Sequence, residues 1–142
     1  MNVIWRGDQV LAQIRRAAMQ GVIEGTELVH STAVKLIMSG PKTGHVYTRR
    51  GVKHQASAPG EPPASDTGTL VQRSTTEYDH ARLVGAVVFR TKYAEALELG
   101  TERIEPRPFL RPALAMSMPA IETAIERRVA AVLGGPNRQA AE

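Results

Sequence analysis

His30, His45, His54 and His80, a few serines and two neighbouring carboxylates are the residues here whose types could do chemistry. No two of the histidines stand one helical turn apart, and there is no H-E-x-x-H element, so their spacing gives no metal-ligand register. Gly40-Pro-Lys-Thr-Gly44 has the composition of a phosphate loop. It lacks the G-x-x-x-x-G-K-[ST] spacing and follows a helical pattern rather than a strand, so it reads as a turn. Ser57, Ser65 and Ser74 have no G-x-S-x-G elbow around them. Glu95 and Glu98 stand three apart on a short helix. Two carboxylates at that spacing could serve as acid and base, but the residues around them favour a solvated helix face. The expectation is therefore no catalytic residue, no metal, no cofactor and no enzymatic activity.

The elements that would position these residues are legible from periodicity. Met1-Asn-Val-Ile-Trp5 has the composition of a short edge strand, and Asp8 stands where a helix N-cap would. Leu11, Ile14, Ala18, Val22, Gly25, Leu28/Val29, Ala33 and Leu36/Ile37 then fall at steps of three and four, one stripe of a long helix that Gly40-Pro41 ends. Gly21 and Gly25 inside it mark a bend or the close approach of another backbone. Residues 41–69 lose periodicity and are rich in Gly, Pro, Ser and Thr, the pattern of a long flexible loop in which residues 46–49 pair briefly as a strand. Residues 70–79 and 81–91 read as two strands joined by a tight turn at Asp79-His80. Residues 93–99 read as a short helix closed by Gly100. A last helix runs from Leu110 to Leu133, with Leu114, Met118, Ile121, Ile125, Val129 and Val132/Leu133 as its apolar stripe, and Pro119 inside it is expected to kink it or start a second segment. The expected architecture is α+β: a small antiparallel sheet against a long N-terminal and a long C-terminal helix. It forms a single domain over residues 1–134 followed by a flexible tail at 135–142.

The chain has 142 residues, 42% of them hydrophobic but only 4% aromatic, so its core must be built mainly from aliphatic side chains. There is no cysteine, which removes disulfides and thiolate metal sites and fits a reducing cytoplasm. No apolar run approaches the ~20 residues that span a bilayer, so no membrane partner is expected. The net charge is +4. Between Glu27 and Glu61 every Lys, Arg, Asp or Glu is positive: Lys35, Lys42, Arg49, Arg50 and Lys53. On a loop such charges can follow phosphates without reading bases. Several copies pointing inward would form a positive collar.

Three segments, in order, carry a resemblance: Ser57-Ala-Pro-Gly-Glu-Pro-Pro-Ala-Ser-Asp-Thr-Gly-Thr-Leu70, Tyr93-Ala-Glu-Ala-Leu-Glu-Leu-Gly-Thr101 and Arg107-Pro-Phe-Leu-Arg-Pro-Ala113. Together they resemble the tail-component family of long, non-contractile-tailed bacteriophages typified by the gene-ten product of the lambdoid phage HK-97. The similarity extends from the first helix to the last, with Leu99 standing where the family's helix-end block carries an aromatic. The resemblance implies a structural virion protein, assembled in the host bacterial cytoplasm. Copies would form a ring at the neck, commonly a hexamer, for tail completion or head–tail joining, with double-stranded DNA passing through the lumen. Its partners would be itself, the head connector, adaptor or stopper protein, and the tail terminator and tail tube proteins.

Carried onto this sequence, Lys42, Arg49, Arg50 and Lys53 would face the lumen. Leu99, Gly100, Thr101, Pro108, Phe109, Leu110 and Pro112 would hold the joint that sets the last helix against the sheet. Pro59, Glu61, Pro62, Pro63, Asp66 and Gly68 would touch a neighbouring subunit or ring. Two alternatives stand beside this expectation: a tail terminator capping the tube and, from a different class, a small basic nucleic-acid-binding protein.

Overall fold

The structure is a computed structural model that describes residues 2–65 and 68–134. Asp66, expected as a contact, and the tail expected at 135–142 lie outside the described residues. The elements are α1 (Gly7–Ser39), β1 (Val46–Arg49), β2 (Val52–Gln55), α2 (Thr69–Gln72), β3 (Ser74–Asp79), β4 (Val84–Phe89), α3 (Ala94–Leu99) and α4 (Leu110–Leu133). This is the expected α+β class, with two antiparallel pairs, β1–β2 and β3–β4, rather than one sheet.

α1, 33 residues long, and α4 pack antiparallel along most of their length. Glycine sets their separation. A Cβ placed on Gly21 would lie 2.8 Å from Ile125 Cα, and one on Gly25 would lie 2.9 Å from Ile121 Cγ1. α4 lays Ile121 and Ile125 against these glycines and buries the small Ala113, Ser117 and Ala124 beside them. This corrects the expected stripe in part: Ile121 and Ile125 keep the contact with α1, while Leu114 and Met118 remain 47% and 39% exposed. Gly21 and Gly25 therefore act as the close-approach sites anticipated, and α4 runs through Pro119 as one helix.

The core gathers at one end, where the C-terminal half of α1 (Val29, Ala33, Ile37) meets the start of α4 (Phe109, Ala113), capped by Leu70 and Ala94. Phe109 is its largest member, and its ring meets Phe89 of β4 edge-on at 4.9 Å between centroids. β3–β4 lies across α1, pressed so close at Gly85 that any side chain there would collide with Thr26. Glu27 of α1 accepts hydrogen bonds from the Thr76 and Tyr78 hydroxyls, and Arg15 donates to Ala81 O, fixing the pair along the helix.

Four local expectations change. Residues 2–6 form neither strand nor helix, with Trp5 87% exposed. Asp8 is not the cap: the N-cap position of α1 is Arg6, and Asp8 sits in the first turn. Residues 69–72 form a helical turn, so the third strand begins at Ser74. The Asp79-His80 turn is longer than expected, because Asp79 pairs with Val84 and leaves residues 80–83 as the loop. Asp79 Oδ1 accepts from Arg82 N in that loop, and Leu83 takes φ +56 to re-enter the ladder.

Candidate functional site: a clamped joint, a basic hairpin and an apolar groove

The joint between α3 and α4 is made by a carboxylate that periodicity places on a solvated face. Glu98 reaches forward across the 100–107 loop. Its Oε2 accepts from Phe109 N (2.8 Å) and Leu110 N (2.9 Å), and its Oε1 from Arg111 N (2.8 Å). These are orphan donors at the start of α4, and a negative group there also meets the positive end of the helix dipole. The solvated-face expectation for Glu98 is thus corrected, while Glu95 remains exposed.

The loop is held from both ends. Gly100, at φ +76, ends α3 with its N–H on Ala96 O. Thr101 O and Oγ1 accept from Ile104 N, and Arg107 N donates to Leu97 O at 2.6 Å. Phe109 and Pro108 are delivered inward, Phe109 to 1% exposure, whereas Leu99 is 51% exposed and adds little to the packing. Leu110 and Pro112 are half-buried beside them, and Thr101 is exposed.

Residues 41–69 are not one continuous loop. β1 and β2 form a hairpin with register Val46↔Gln55 to Arg49↔Val52. Arg50 (φ +52) and Gly51 (φ +78) make its two-residue turn, both in the positive-φ region such a hairpin requires. Period-two alternation is absent because neither face of this hairpin is deeply buried, which is why the sequence reads as loop.

Arg49, Arg50 and Lys53 therefore stand together at the hairpin end. Arg49 also borders a cleft of about 370 Å³ with Pro63, Tyr93 and Leu97. Lys42 does not join them. Its Nζ donates to Leu36 O (3.2 Å) and Pro62 O (3.0 Å), closing the C-terminus of α1. Burial pushes its ammonium below the ordinary lysine range, with the nearby Glu61 opposing.

Glu61 likewise works within its own subunit. It accepts from Thr43 Oγ1, Ala58 N and Thr43 N, which hold its carboxyl below the ordinary value. Pro63 is buried, Pro62 and Gly68 are half-buried, and Pro59 is exposed. Gly60 N donates to Pro106 O, so this segment is tied directly to the α3–α4 joint.

The histidines take structural places. His30 Nε2 lies 2.7 Å from Ser74 Oγ and its ring faces the edge of Phe89. His54 stacks on Tyr47 across the hairpin. His45 and His80 are exposed.

Beside the joint, sharing Leu110 and Arg111 with it, an open groove of about 470 Å³ runs between α1, β4 and α4. It is lined by Val22, Gly25, Thr26 and Val29, by Gly85, Ala86 and Val87, and by Leu110, Arg111, Leu114, Met118 and Ile121. It is almost wholly apolar, and Leu114 and Met118 stand exposed along it. Among the described residues no helix is long and apolar enough to cross a membrane. Comparison with protein-family models, with curated proteins and with solved structures returned no match to this chain.

Proposed function

We propose that this chain is a structural assembly subunit whose copies close into a ring at the neck of a long-tailed bacteriophage, joining the DNA-filled head to the tail. The observation that carries the assembly reading is the incomplete apolar surface of the lone subunit. β3–β4 is a two-stranded unit with no third strand among the described residues, and an open apolar groove lies beside it. α1 supports the two strands themselves, and it is the exposed apolar groove that gains from a neighbour. The three ordered segments and their resemblance supply the phage setting. Within it, the ring is a hexamer in the virion neck, between the head connector or stopper and the tail terminator and tube, and the chain builds rather than catalyses.

The clamped joint supports this reading physically. A ring closes only if every copy repeats the same rotation. Glu98, Gly100 and the buried Phe109 fix the angle of α4 against the rest of the subunit, while the hairpin presents Arg49, Arg50 and Lys53 to the DNA in the lumen.

Arg50→Asn tests the lumen role cleanly. Asn-Gly suits the two-residue turn better than Arg-Gly, so the fold is kept while the charge is lost. Combined with Arg49→Ala and Lys53→Ala, it should reduce retention of packaged DNA; unchanged DNA retention and unchanged virion assembly would remove the collar from the reading. The same hairpin favours one second reading, a small basic nucleic-acid-binding protein. That reading requires the purified chain to bind free DNA with an affinity that falls steeply with salt.

A further inference from the structure

We propose that residues 2–6 of one copy dock in the apolar groove of a second copy, laid as an extra strand along the unpaired edge of β4. The groove is lined by three consecutive residues of β4, Gly85, Ala86 and Val87. Consecutive strand residues face opposite sides, so all three can line one groove only where it opens on the strand's edge. The other edge of β4 is taken by β3. An apolar groove with an open strand edge recognises an extended apolar segment, through main-chain hydrogen bonds for affinity and side-chain pockets for fit.

The chain carries an apolar segment held in neither helix nor strand: Val3, Ile4 and Trp5 are 85%, 75% and 87% exposed in a row. Three consecutive large apolar side chains in water are costly to leave uncovered. The segment cannot cover its own groove. Trp5 is two residues from the start of α1 at Gly7, a reach of roughly 7 Å. Val22, the first groove residue on α1, lies fifteen residues into the helix, about 22 Å away. The occupant is therefore another copy's arm.

An arm given to one neighbour and a groove offered to the other is a head-to-tail contact, the kind that generates rings. The proposal deepens the assembly part of the reading above and is independent of the phage setting.

The chain has no cysteine, so a cross-link can be placed without interference. Full-length protein carrying Ile4→Cys is mixed with full-length protein carrying Met118→Cys and oxidised. The junction peptide is identified by mass spectrometry. Ser31→Cys, exposed on α1 away from the groove, replaces Met118→Cys in the control. At least a tenfold excess of the 4–118 junction over the 4–31 junction is expected; equal yields or no junction would overturn the proposal. Deletion of residues 2–6, checked for unchanged circular dichroism, should reduce the assembled mass to that of a single subunit, and an unchanged assembled mass would overturn it too. Failure of the phage setting is distinguishable, since a strong 4–118 junction in a protein absent from virions would leave the arm docking intact and remove only the neck role.

Discussion

Removing the Glu98 carboxylate should weaken the protein far more than removing its neighbour one turn away. Glu98 satisfies three backbone donors at 2.8 to 2.9 Å at the start of α4. Loss of an N-terminal cap costs about 0.5–2 kcal/mol, and loss of a negative charge at that end about 0.3–1 kcal/mol. The N–H groups of Phe109 and Leu110 are partly buried and recover only some of their hydration in the truncated variant. Glu98→Ala is therefore expected to lose roughly 2–3 kcal/mol, near the upper end of those two costs combined. Glu98→Gln keeps oxygen acceptance at one atom and should lose roughly 1 kcal/mol, while Glu95→Ala should stay within about 0.5 kcal/mol of wild type. Urea unfolding followed by circular dichroism measures all three, with equal slopes showing that the folded state is otherwise unchanged. If Glu98→Ala and Glu95→Ala were indistinguishable, the clamp would not hold the joint in solution.

Three further outcomes are expected. Phe109→Ala should cost about 3–5 kcal/mol by urea unfolding, as expected for a ring buried to 1% exposure; a loss under ~1 kcal/mol would show that the core does not rest on it. Gly21→Ala gains about 1 kcal/mol of helix propensity but puts a methyl 2.8 Å from the Ile125 backbone. The enforced separation of α1 and α4 should leave a net loss of about 1–2 kcal/mol, and a stabilised variant would mean that the helices do not meet there.

The third outcome concerns pH. The Glu27 carboxyl is held below its ordinary value of 4.5 first by the Tyr78 hydroxyl and then by that of Thr76. Glu61 is held down first by the Thr43 hydroxyl, and Glu24 first by Arg128. Depressed carboxyls bind fewer protons folded than unfolded. Their stabilisation is complete above the unfolded value and is lost as pH falls through the folded ones. The melting temperature should fall below about pH 4.5, with a shallower fall in Glu27→Gln; an unchanged slope would show that the Glu27 contacts do not form.

What the sequence revealed, and what it hid, follows from the range of the forces involved. α1 and α4 were legible because their apolar steps are local and long, and Gly100 because one residue in a positive-φ turn announces itself. The β1–β2 hairpin was half legible. Arg50-Gly51 is a weak turn signal, and a hairpin with two wet faces has no alternation to read. Glu98 was missed because its partners lie eleven to thirteen residues away. A glutamate shortly before a proline-bracketed helix start was the available signal. The exposure of Leu114 and Met118 was hidden for a different reason: they fit one stripe with Ile121 and Ile125, and only tertiary packing decides which part of that stripe is covered. Lys42 looked like one more loop cation, and its place at the end of α1 depends on Pro62, twenty residues on.

The central claim is that this chain is a building block of the join between head and tail. Electron microscopy of particles assembled without this chain tests it most directly. The account predicts filled heads beside unattached tails of normal length. Abnormally long tails would instead make the chain the tube's terminator, and intact, infectious virions would contradict the account.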